Sequence, residues 1–315
     1  YLPRTEGISS TMLREESQEV VKLGIVGMGR VGKRFLTEVP FVSGIRVEAA
    51  FDVDTESLKD YLKDKEGIGT CEDFDELLDK SDAVYVATPH LSHYEYCKRA
   101  ILAGKHVLCE TPFVLDGRQA EELYDLAKVH QVVLMEANKT AHCPAFNHLM
   151  VMIKSGVIGT VVDIEASLSK LLPDKSLREF DPAQAGGSMF ELGSYPLLPI
   201  LKLLGTDFRH VSFYSLMENG VDIYTKGFMH YPKAVCSFKL GLGVKTEGNL
   251  IISGTKGYAY VPAPWWKTDY FELRYEDQNE NKKFFYKWDG AGLRYELQEF
   301  VSCIFNHRYS SVRFS

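Results

Sequence analysis

The segment Gly27-Met28-Gly29-Arg30-Val31-Gly32 has the spacing of a dinucleotide-binding loop. In such a loop the first glycine permits a tight turn, the second lets the backbone approach a pyrophosphate, and the third lets a helix pack closely on a strand. The amides at the start of that helix then donate to the phosphates. This chemistry requires a strand before the loop and a helix after it, and the flanking residues predict both.

Asp52 lies 20 residues after Gly32 and ends the next predicted strand. A carboxylate at this place accepts hydrogen bonds from both hydroxyls of a ribose and repels a 2′-phosphate. The sequence therefore predicts a dinucleotide cofactor and favours NAD over NADP.

The segments that position these residues alternate between apolar runs and helical patterns. Strands are predicted at residues 21–26, 45–51, 83–87, 106–109 and 132–136, with helices between them. This alternation is typical of a doubly wound parallel sheet, so residues 21–139 are predicted to form a Rossmann-like domain. Residues 140–315 instead show runs at hairpin-like intervals, which predict a mostly antiparallel sheet, and end in an amphipathic helix at 292–306. The predicted fold class is α/β, with two domains.

Ligands of doubly wound sheets lie outside the carboxyl ends of the strands. Reading those ends in order adds the following candidate cofactor and cleft residues: Thr88, Pro89, His90, His93, Glu110, Thr111, Pro112, Asn138 and Lys139. For His93 the alternative is a residue that only starts a helix. For Glu110 it is a structural carboxylate that bonds loop amides or the ribose.

The composition excludes several classes of protein. The 315 residues include 36 Lys and Arg against 43 Asp and Glu, a net charge of −7, which disfavours nucleic-acid binding through a basic surface. No apolar run approaches the roughly 18 residues of a membrane helix. The six cysteines form no C-x-x-C pair, so reduced core thiols in a cytoplasmic protein are expected. His and Cys show no metal-ligand spacing.

Residues 87–89 (Ala-Thr-Pro) and 100–112 (Ala-Ile-Leu-Ala-Gly-Lys-His-Val-Leu-Cys-Glu-Thr-Pro) resemble the glucose-fructose oxidoreductase, inositol dehydrogenase and rhizopine catabolism family. The resemblance runs from about residue 21 to about residue 306. It implies an N-terminal Rossmann domain and a C-terminal α/β domain whose open sheet covers the nicotinamide and substrate and often forms a homo-oligomer contact. It also implies hydride exchange between NAD(P) and a carbinol carbon of a sugar, polyol or related compound.

The chain departs from this family at one catalytic position. Family members carry Glu-Lys-Pro where this chain has Glu110-Thr111-Pro112, and Thr111 cannot act as an ammonium acid or amine base. The second family signature, Asp-x-Gly-x-His or Asp-x-Gly-x-Tyr after a glycine pair, matches residues 186–196. Glu191 there replaces the aspartate, and Tyr195 takes the catalytic His or Tyr position.

Oxidation of a carbinol requires loss of the hydroxyl proton, which Tyr or Lys can accept if its pKa is brought toward neutrality. Tyr195 is the first candidate, with a packed tyrosine as the alternative. Lys139 is the second, because it comes at the end of the last predicted strand of this domain and can place an ammonium where the family lysine is missing; the alternative is a surface or structural lysine. Glu191 is expected to orient Tyr195 or a substrate hydroxyl. His142 and Asn138 are further candidate substrate contacts.

Two segments remain outside this pattern. Residues 262–267 (Pro-Ala-Pro-Trp-Trp-Lys) form an aromatic loop that either stacks on a sugar or anchors the loop or a subunit contact. Residues 4–11 (Arg-Thr-Glu-Gly-Ile-Ser-Ser-Thr) resemble the end of a glycerol-3-phosphate-type cytidylyltransferase, without its His-x-Gly-His motif. Residues 1–20 are therefore interpreted as the tail of an upstream transferase domain or as a linker.

The sequence thus predicts an NAD(P)-dependent oxidoreductase acting on a sugar, polyol or phosphorylated derivative. The alternative is a catalytically silent dinucleotide-binding module fused to a nucleotidyltransferase, which the loss of lysine at Thr111 favours.

Overall fold

The computed structural model describes residues 20–311, and its first half forms a parallel sheet. The strands are β1 (Val21–Val26), β2 (Ile45–Phe51), β3 (Gly69–Thr70), β4 (Ala83–Val86), β5 (His106–Glu110) and β6 (Leu134–Ala137). The helices between them are α1 (Arg30–Glu38), α2 (Thr55–Leu62), α3 (Phe74–Lys80), α4 (His93–Leu102) and α5 (Gly117–Val129). The strand order is β3-β2-β1-β4-β5-β6, and all four residues of β4 are buried, as helices on both faces require. The predicted Rossmann-like sheet is confirmed.

The order of the strands reverses direction between β1 and β4, which pair with each other in parallel. Connections leave the two strands toward opposite sides at such a point, so a crevice opens at their carboxyl ends. The glycine loop follows β1 directly and therefore lies at this crevice.

The second half forms an eight-stranded sheet. Its strands are β7 (Val161–Ser169), β8 (His210–Glu218), β9 (Val221–His230), β10 (Val235–Gly241), β11 (Leu250–Gly254), β12 (Gly257–Val261), β13 (Tyr270–Tyr275) and β14 (Lys282–Phe285). The order is β14-β13-β12-β11-β7-β10-β9-β8, and every pair is antiparallel except β7 with β10. Buried and half-buried residues alternate along β9, because only one face of this sheet is covered. The predicted mostly antiparallel second sheet is confirmed.

Five further helices accompany the second half in the described chain. They are α6 (Lys139–His142), α7 (Pro144–Lys154), α8 (Ser188–Leu192), α9 (Ser194–Leu204) and α10 (Leu293–Phe305). Residues of α7 and α9, including Phe146 and Ile200, share one apolar core with Phe238, Trp265 and Phe271 of the sheet domain.

The closing helix α10 returns to the first sheet. Leu297 and Phe300 are fully buried in the same core as Leu23 of β1 and Phe35 of α1. The sequence-based division at residue 140 grouped this helix with the second sheet. Its apolar stripe is covered instead by the Rossmann domain, so the C-terminal end of the chain helps to build the N-terminal half.

Several local features differ from the sequence prediction. β6 ends at Ala137 and Lys139 begins the short helix α6, so Lys139 does not end a strand as expected. The two-residue strand β3 and the charged strand β14 were not predicted.

All six cysteines are buried with free thiols. None of the helices between residues 20 and 311 is both long and apolar enough to cross a membrane. The proposed cytidylyltransferase tail lies outside the described residues.

Candidate active site

The glycine loop between β1 and α1 meets three different steric demands. Gly27 has φ of +91°, and a Cβ there would lie 2.7 Å from the Ala87 carbonyl oxygen. A Cβ at Gly32 would lie 2.1 Å from the Gly27 carbonyl oxygen, whereas a Cβ at Gly29 would meet no atom within 4 Å. The first and third glycines therefore serve the fold, and the second leaves open space in front of the α1 amides. This space is what a pyrophosphate requires.

Asp52 follows β2 and faces this loop. Its Oδ2 accepts a hydrogen bond of 2.6 Å from the Met28 backbone N–H, and its Oδ1 accepts one of 2.9 Å from the Asp54 N–H. These two bonds fix the carboxylate at the edge of the cleft, beside the glycine loop. The side chain is thus held where a ribose would bind, while each oxygen keeps a lone pair free to accept again.

His93 ties together the ends of β4 and β5. Its Nδ1 lies 2.9 Å from the Pro112 carbonyl oxygen and its Nε2 lies 2.8 Å from the Thr88 carbonyl oxygen. The ring is fully buried, and burial lowers its pKa, although the two carbonyls oppose that shift. With both ring nitrogens occupied by backbone, His93 supports the shape of the cleft wall rather than offering a free donor to a ligand.

Glu110 and Lys139 both line the cleft, and the charge of each affects the pKa of the other. Glu110 accepts a hydrogen bond from the Tyr85 hydroxyl, and its pKa is raised by burial, while the charge of Lys139 lowers it. The pKa of Lys139 is lowered by burial, although the carboxyls of Glu296 and Glu110 raise it. Asn138 and His142, predicted as further substrate contacts, are buried and do not line the cleft.

Glu191 is paired with Arg178 at the wall of the cleft. Its carboxylate accepts two hydrogen bonds, of 2.8 and 3.4 Å, from the guanidinium of Arg178. Its Oε1 also lies 3.6 Å from Nε2 of His90, whose pKa burial lowers to about 4. Glu191 sits in α8 and Tyr195 in the separate helix α9, and no hydrogen bond joins the two side chains among the described residues. The role expected for Glu191, orienting Tyr195 or a substrate hydroxyl, stays a prediction.

Tyr195 lines the cleft from the second domain. Burial raises the pKa of its hydroxyl, and the carboxyls of Glu110, Glu296 and Glu136 raise it further. The surroundings expected from the sequence would have moved this pKa toward neutrality. Burial and, to a lesser extent, the acidic neighbours move the pKa in the opposite direction, so the hydroxyl keeps its proton and is suited to donate a hydrogen bond.

Most of these groups line one cavity of about 810 Å³ between the two sheets. The predicted residues that line it are Gly27, Gly29, Arg30, Val31, Asp52, Thr88, Pro89, His90, His93, Glu110, Thr111, Lys139, Glu191 and Tyr195. Met28, Gly32 and Pro112, which were also predicted, do not line it. The size and the open space at Gly29 fit a dinucleotide together with a small substrate.

Sequence reasoning missed several lining residues. Lys170, Arg178, Glu179, Trp266 and Glu296 also line the cavity. The sequence signal for Trp266 was the aromatic loop at residues 262–267. Trp265, its neighbour, is fully buried and donates from Nε1 to the Ser167 carbonyl at 2.9 Å. The loop is therefore anchored by one tryptophan and presents the other to the cleft.

The comparison with protein families identifies the class of this chain. Residues 21–138 match the model described as "Oxidoreductase family, NAD-binding Rossmann fold", and residues 146–260 match the GFO/IDH/MocA C-terminal domain. The chain belongs to the GFO/IDH/MocA oxidoreductase family. The prediction of an NAD(P)-dependent dehydrogenase or reductase is confirmed at the level of this family.

Curated relatives and solved structures extend the match over most of the chain. Trans-1,2-dihydrobenzene-1,2-diol dehydrogenase of Oryctolagus cuniculus is 30% identical over 232 residues, covering 71% of this chain and 70% of the relative. scyllo-Inositol 2-dehydrogenase (NADP⁺) IolU of Bacillus subtilis is 30% identical over 195 residues, covering 59% of each chain. KijD10, a 3-ketoreductase of Actinomadura kijaniata solved with NADP and TDP-benzene, shares the fold at a TM-score of 0.81, with 22% identity and 92% and 91% of the two chains covered.

Proposed function

We propose that the chain is an NAD-dependent dehydrogenase or reductase that moves hydride to or from a carbinol or carbonyl carbon of a sugar, polyol or phosphorylated derivative. The observation that carries this proposal is the shared cavity: the glycine loop, Asp52, Lys139 and Tyr195 all line it. Relatives named as acting on an inositol and on a dihydrobenzene diol support the class of substrate.

The residues that would hold the cofactor are those of the β1–α1 loop and Asp52. The amides before α1 face open space at Gly29, and the Asp52 carboxylate stands ready for two ribose hydroxyls. A 2′-phosphate placed there would face the carboxylate charge, which favours NAD. When bound, the nicotinamide supplies the hydride acceptor or donor.

Lys139 and Tyr195 take separate parts in the proton chemistry. Burial lowers the pKa of Lys139, which makes its amine available to accept the hydroxyl proton. The raised pKa of Tyr195 keeps that hydroxyl protonated, so it donates a hydrogen bond to the substrate oxygen in either direction. A Lys139→Met variant with full turnover would contradict this assignment.

The first experiment is thermal unfolding with NAD, NADH, NADP and NADPH. A ligand present at 100 times its dissociation constant adds about 2.7 kcal/mol to the free energy of unfolding if it binds only the folded state. We expect a larger shift with NAD(H) than with NADP(H). A shift with NADP(H) alone would refute the role given to Asp52, and no shift with any of the four would refute the dinucleotide site.

A catalytically silent module is the second candidate, and Thr111 in place of the family lysine favours it. Screening sugars, polyols and their phosphates for a change in absorbance at the reduced nicotinamide band separates the two functions. Turnover of any substrate excludes the silent module. Binding of NAD(H) without turnover across the panel favours it.

Three wider predictions accompany the proposal. We expect a cytoplasmic enzyme, a homo-oligomer formed through the second sheet, and a cytidylyltransferase joined to residues 1–16. Exposed Phe213, Tyr214 and Leu216 on β8 support the second expectation. Sedimentation of the purified chain tests it, and a monomer at high concentration would contradict it.

A further inference from the structure

Glu296 is a buried carboxyl without a bonded partner. It lies in the first turn of α10, its side chain is fully shielded from solvent, and neither carboxylate oxygen has a hydrogen-bond partner among residues 20–311. The helix around it is held in place, because Leu293 and Leu297, on either side of Glu296 in the sequence, are buried in the apolar core of the first domain. A carboxyl that is buried and unbonded is costly, so its place calls for an explanation.

The side chain belongs to the wall of the active-site cavity. Glu296 lines the same cavity as Lys139, Glu110 and Tyr195. Helix α10 packs directly against α6, which Lys139 begins. Lys139 itself forms no ion pair closer than 4.0 Å with another described residue. One unpaired acid and one unpaired base therefore face a common space.

The charges around this space come from several elements. The groups that act on Lys139 or Glu296 are Arg34 and Glu38 of α1, Glu110 of β5, Glu136 of β6, and Lys267 of the aromatic loop. Burial raises the pKa of Glu296 and Glu110 raises it further, while Lys139 lowers it. Burial lowers the pKa of Lys139, and Glu296 is the main group that opposes this. Burial outweighs this attraction for both groups, so each charge offsets only part of the cost of burying the other.

We propose that Glu296 is a positioning residue that acts through Lys139, setting the proton affinity of the Lys139 amine from across the cavity. The proposal rests on the proposed function, because it concerns the same proton transfer. In the oxidative direction the substrate O–H bond breaks and an N–H bond forms at Lys139 Nζ, while hydride leaves the carbinol carbon for the oxidised nicotinamide. The ammonium formed at Lys139 favours the ionised form of Glu296, and the resulting carboxylate stabilises the ammonium in return. In reduction the same proton returns from Nζ to the substrate oxygen.

The test needs neither substrate nor cofactor. The titration of Lys139 is followed by ¹³Cε NMR of lysine-labelled protein, with its signal assigned by its loss in Lys139→Met. In Glu296→Gln we expect the Lys139 midpoint to fall by about 1 pH unit, because an opposing charge is removed. Glu299→Gln is the matched control: Glu299 lies on the same helix but binds Arg308 and Ser311 and does not line the cavity. There the midpoint is expected to stay unchanged. An unchanged midpoint in Glu296→Gln overturns the proposal.

A second measurement keeps the proposal testable if the Glu296→Gln variant does not fold. In Lys139→Met the ¹³Cδ titration of Glu296 is expected to move to higher pH than in the unmodified chain, and no movement overturns the proposal. Failure of NAD(H) to bind would sink the proposed function but leave both titrations intact, so the two failures are distinguishable. With a turned-over substrate, the pH profile of kcat/KM is expected to shift in Glu296→Gln in the same direction as the Lys139 midpoint.

Discussion

Each glycine of the β1–α1 loop is required for a different reason, and the sequence motif predicted all three. Gly27 adopts a positive φ against the end of β4, a Cβ at Gly32 would collide with the Gly27 carbonyl oxygen, and Gly29 borders open space. Gly27 and Gly32 meet demands that only glycine satisfies, and Gly29 keeps space open for a ligand, so the motif predicts these properties of the backbone directly. Functions carried by longer side chains are less visible, since their partners come from distant parts of the chain.

The loop therefore allows stability and binding to be separated. Gly32→Ala is expected to lower the free energy of unfolding by about 1–3 kcal/mol, because the added methyl group meets a carbonyl oxygen. Gly29 has φ of −69°, which alanine adopts freely. Gly29→Ala should change stability by less than about 1 kcal/mol yet weaken NADH binding at least about tenfold by filling the space for the pyrophosphate. Urea unfolding measures the stability of each variant, and fluorescence titration with NADH measures its binding. Equal loss of stability in the two variants would contradict this division.

Among the secondary-structure elements, those with a strong apolar pattern were predictable and those defined by their neighbours were not. The runs that form β1 and β4 are apolar because both of their faces are covered. The strand β14 begins with two lysines and pairs only with β13 at the sheet edge, so it shows no buried pattern. The periodicity of α10 revealed an apolar face but not which sheet would cover it. Glu296 was missed for the same reason.

The attachment of α10 predicts a pH-dependent contribution to stability. Glu38 of α1 accepts hydrogen bonds from Arg294 at 2.8 Å and from the Ala291 N–H at 3.0 Å. Burial raises the pKa of Glu38, but Arg294 and Ala291 together bring it below its ordinary value of 4.5. A carboxyl with a depressed pKa stabilises the fold above its unfolded-state pKa, and this contribution is lost as the pH falls through the folded-state pKa.

Glu38→Gln is therefore expected to lower the free energy of unfolding by about 2–4 kcal/mol at pH 7, and by less below pH 4.5. Urea unfolding at several pH values checks this. The control is Glu48→Gln, which removes a pair of 2.9 Å with Arg46 on the protein surface. That loss should be below about 1 kcal/mol at every pH. A Glu38→Gln effect independent of pH would show that the ion pair does not attach the helix.

The two halves of the molecule face each other across the cavity through ionisable groups. Arg30 of α1 lies 4.0 Å from Glu179 of the second half, and His90 lies 3.6 Å from Glu191. The first contact is exposed on the Arg30 side, where the side chain is 60% accessible, so it contributes little. In the second, the pKa of His90 near 4 leaves the ring neutral at physiological pH. Of the two side chains that contact the buried Glu191, Arg178 and His90, Arg178 is therefore the one that carries a positive charge.

Removing Arg178 should consequently lower the free energy of unfolding, and this loss should grow as the pH rises. Burial raises the pKa of Glu191 and Arg178 opposes that shift, so Arg178→Met raises this pKa further. A carboxyl whose folded-state pKa is raised keeps its full stabilising effect below its unfolded-state pKa and loses it as the pH rises through the folded-state pKa. We expect Arg178→Met to lower the free energy of unfolding by about 2 kcal/mol at pH 8 and by clearly less at pH 5. The loss at pH 8 is smaller than for a fully buried ion pair because the Arg178 side chain is 36% exposed. Arg30→Met, measured in the same urea series, should cost less than about 1 kcal/mol at both pH values. The explanation would be wrong if the two variants lost equal stability, or if Arg178→Met lost more stability at pH 5 than at pH 8. Either result would show that Arg178 does not stabilise the protein by balancing the charge of Glu191.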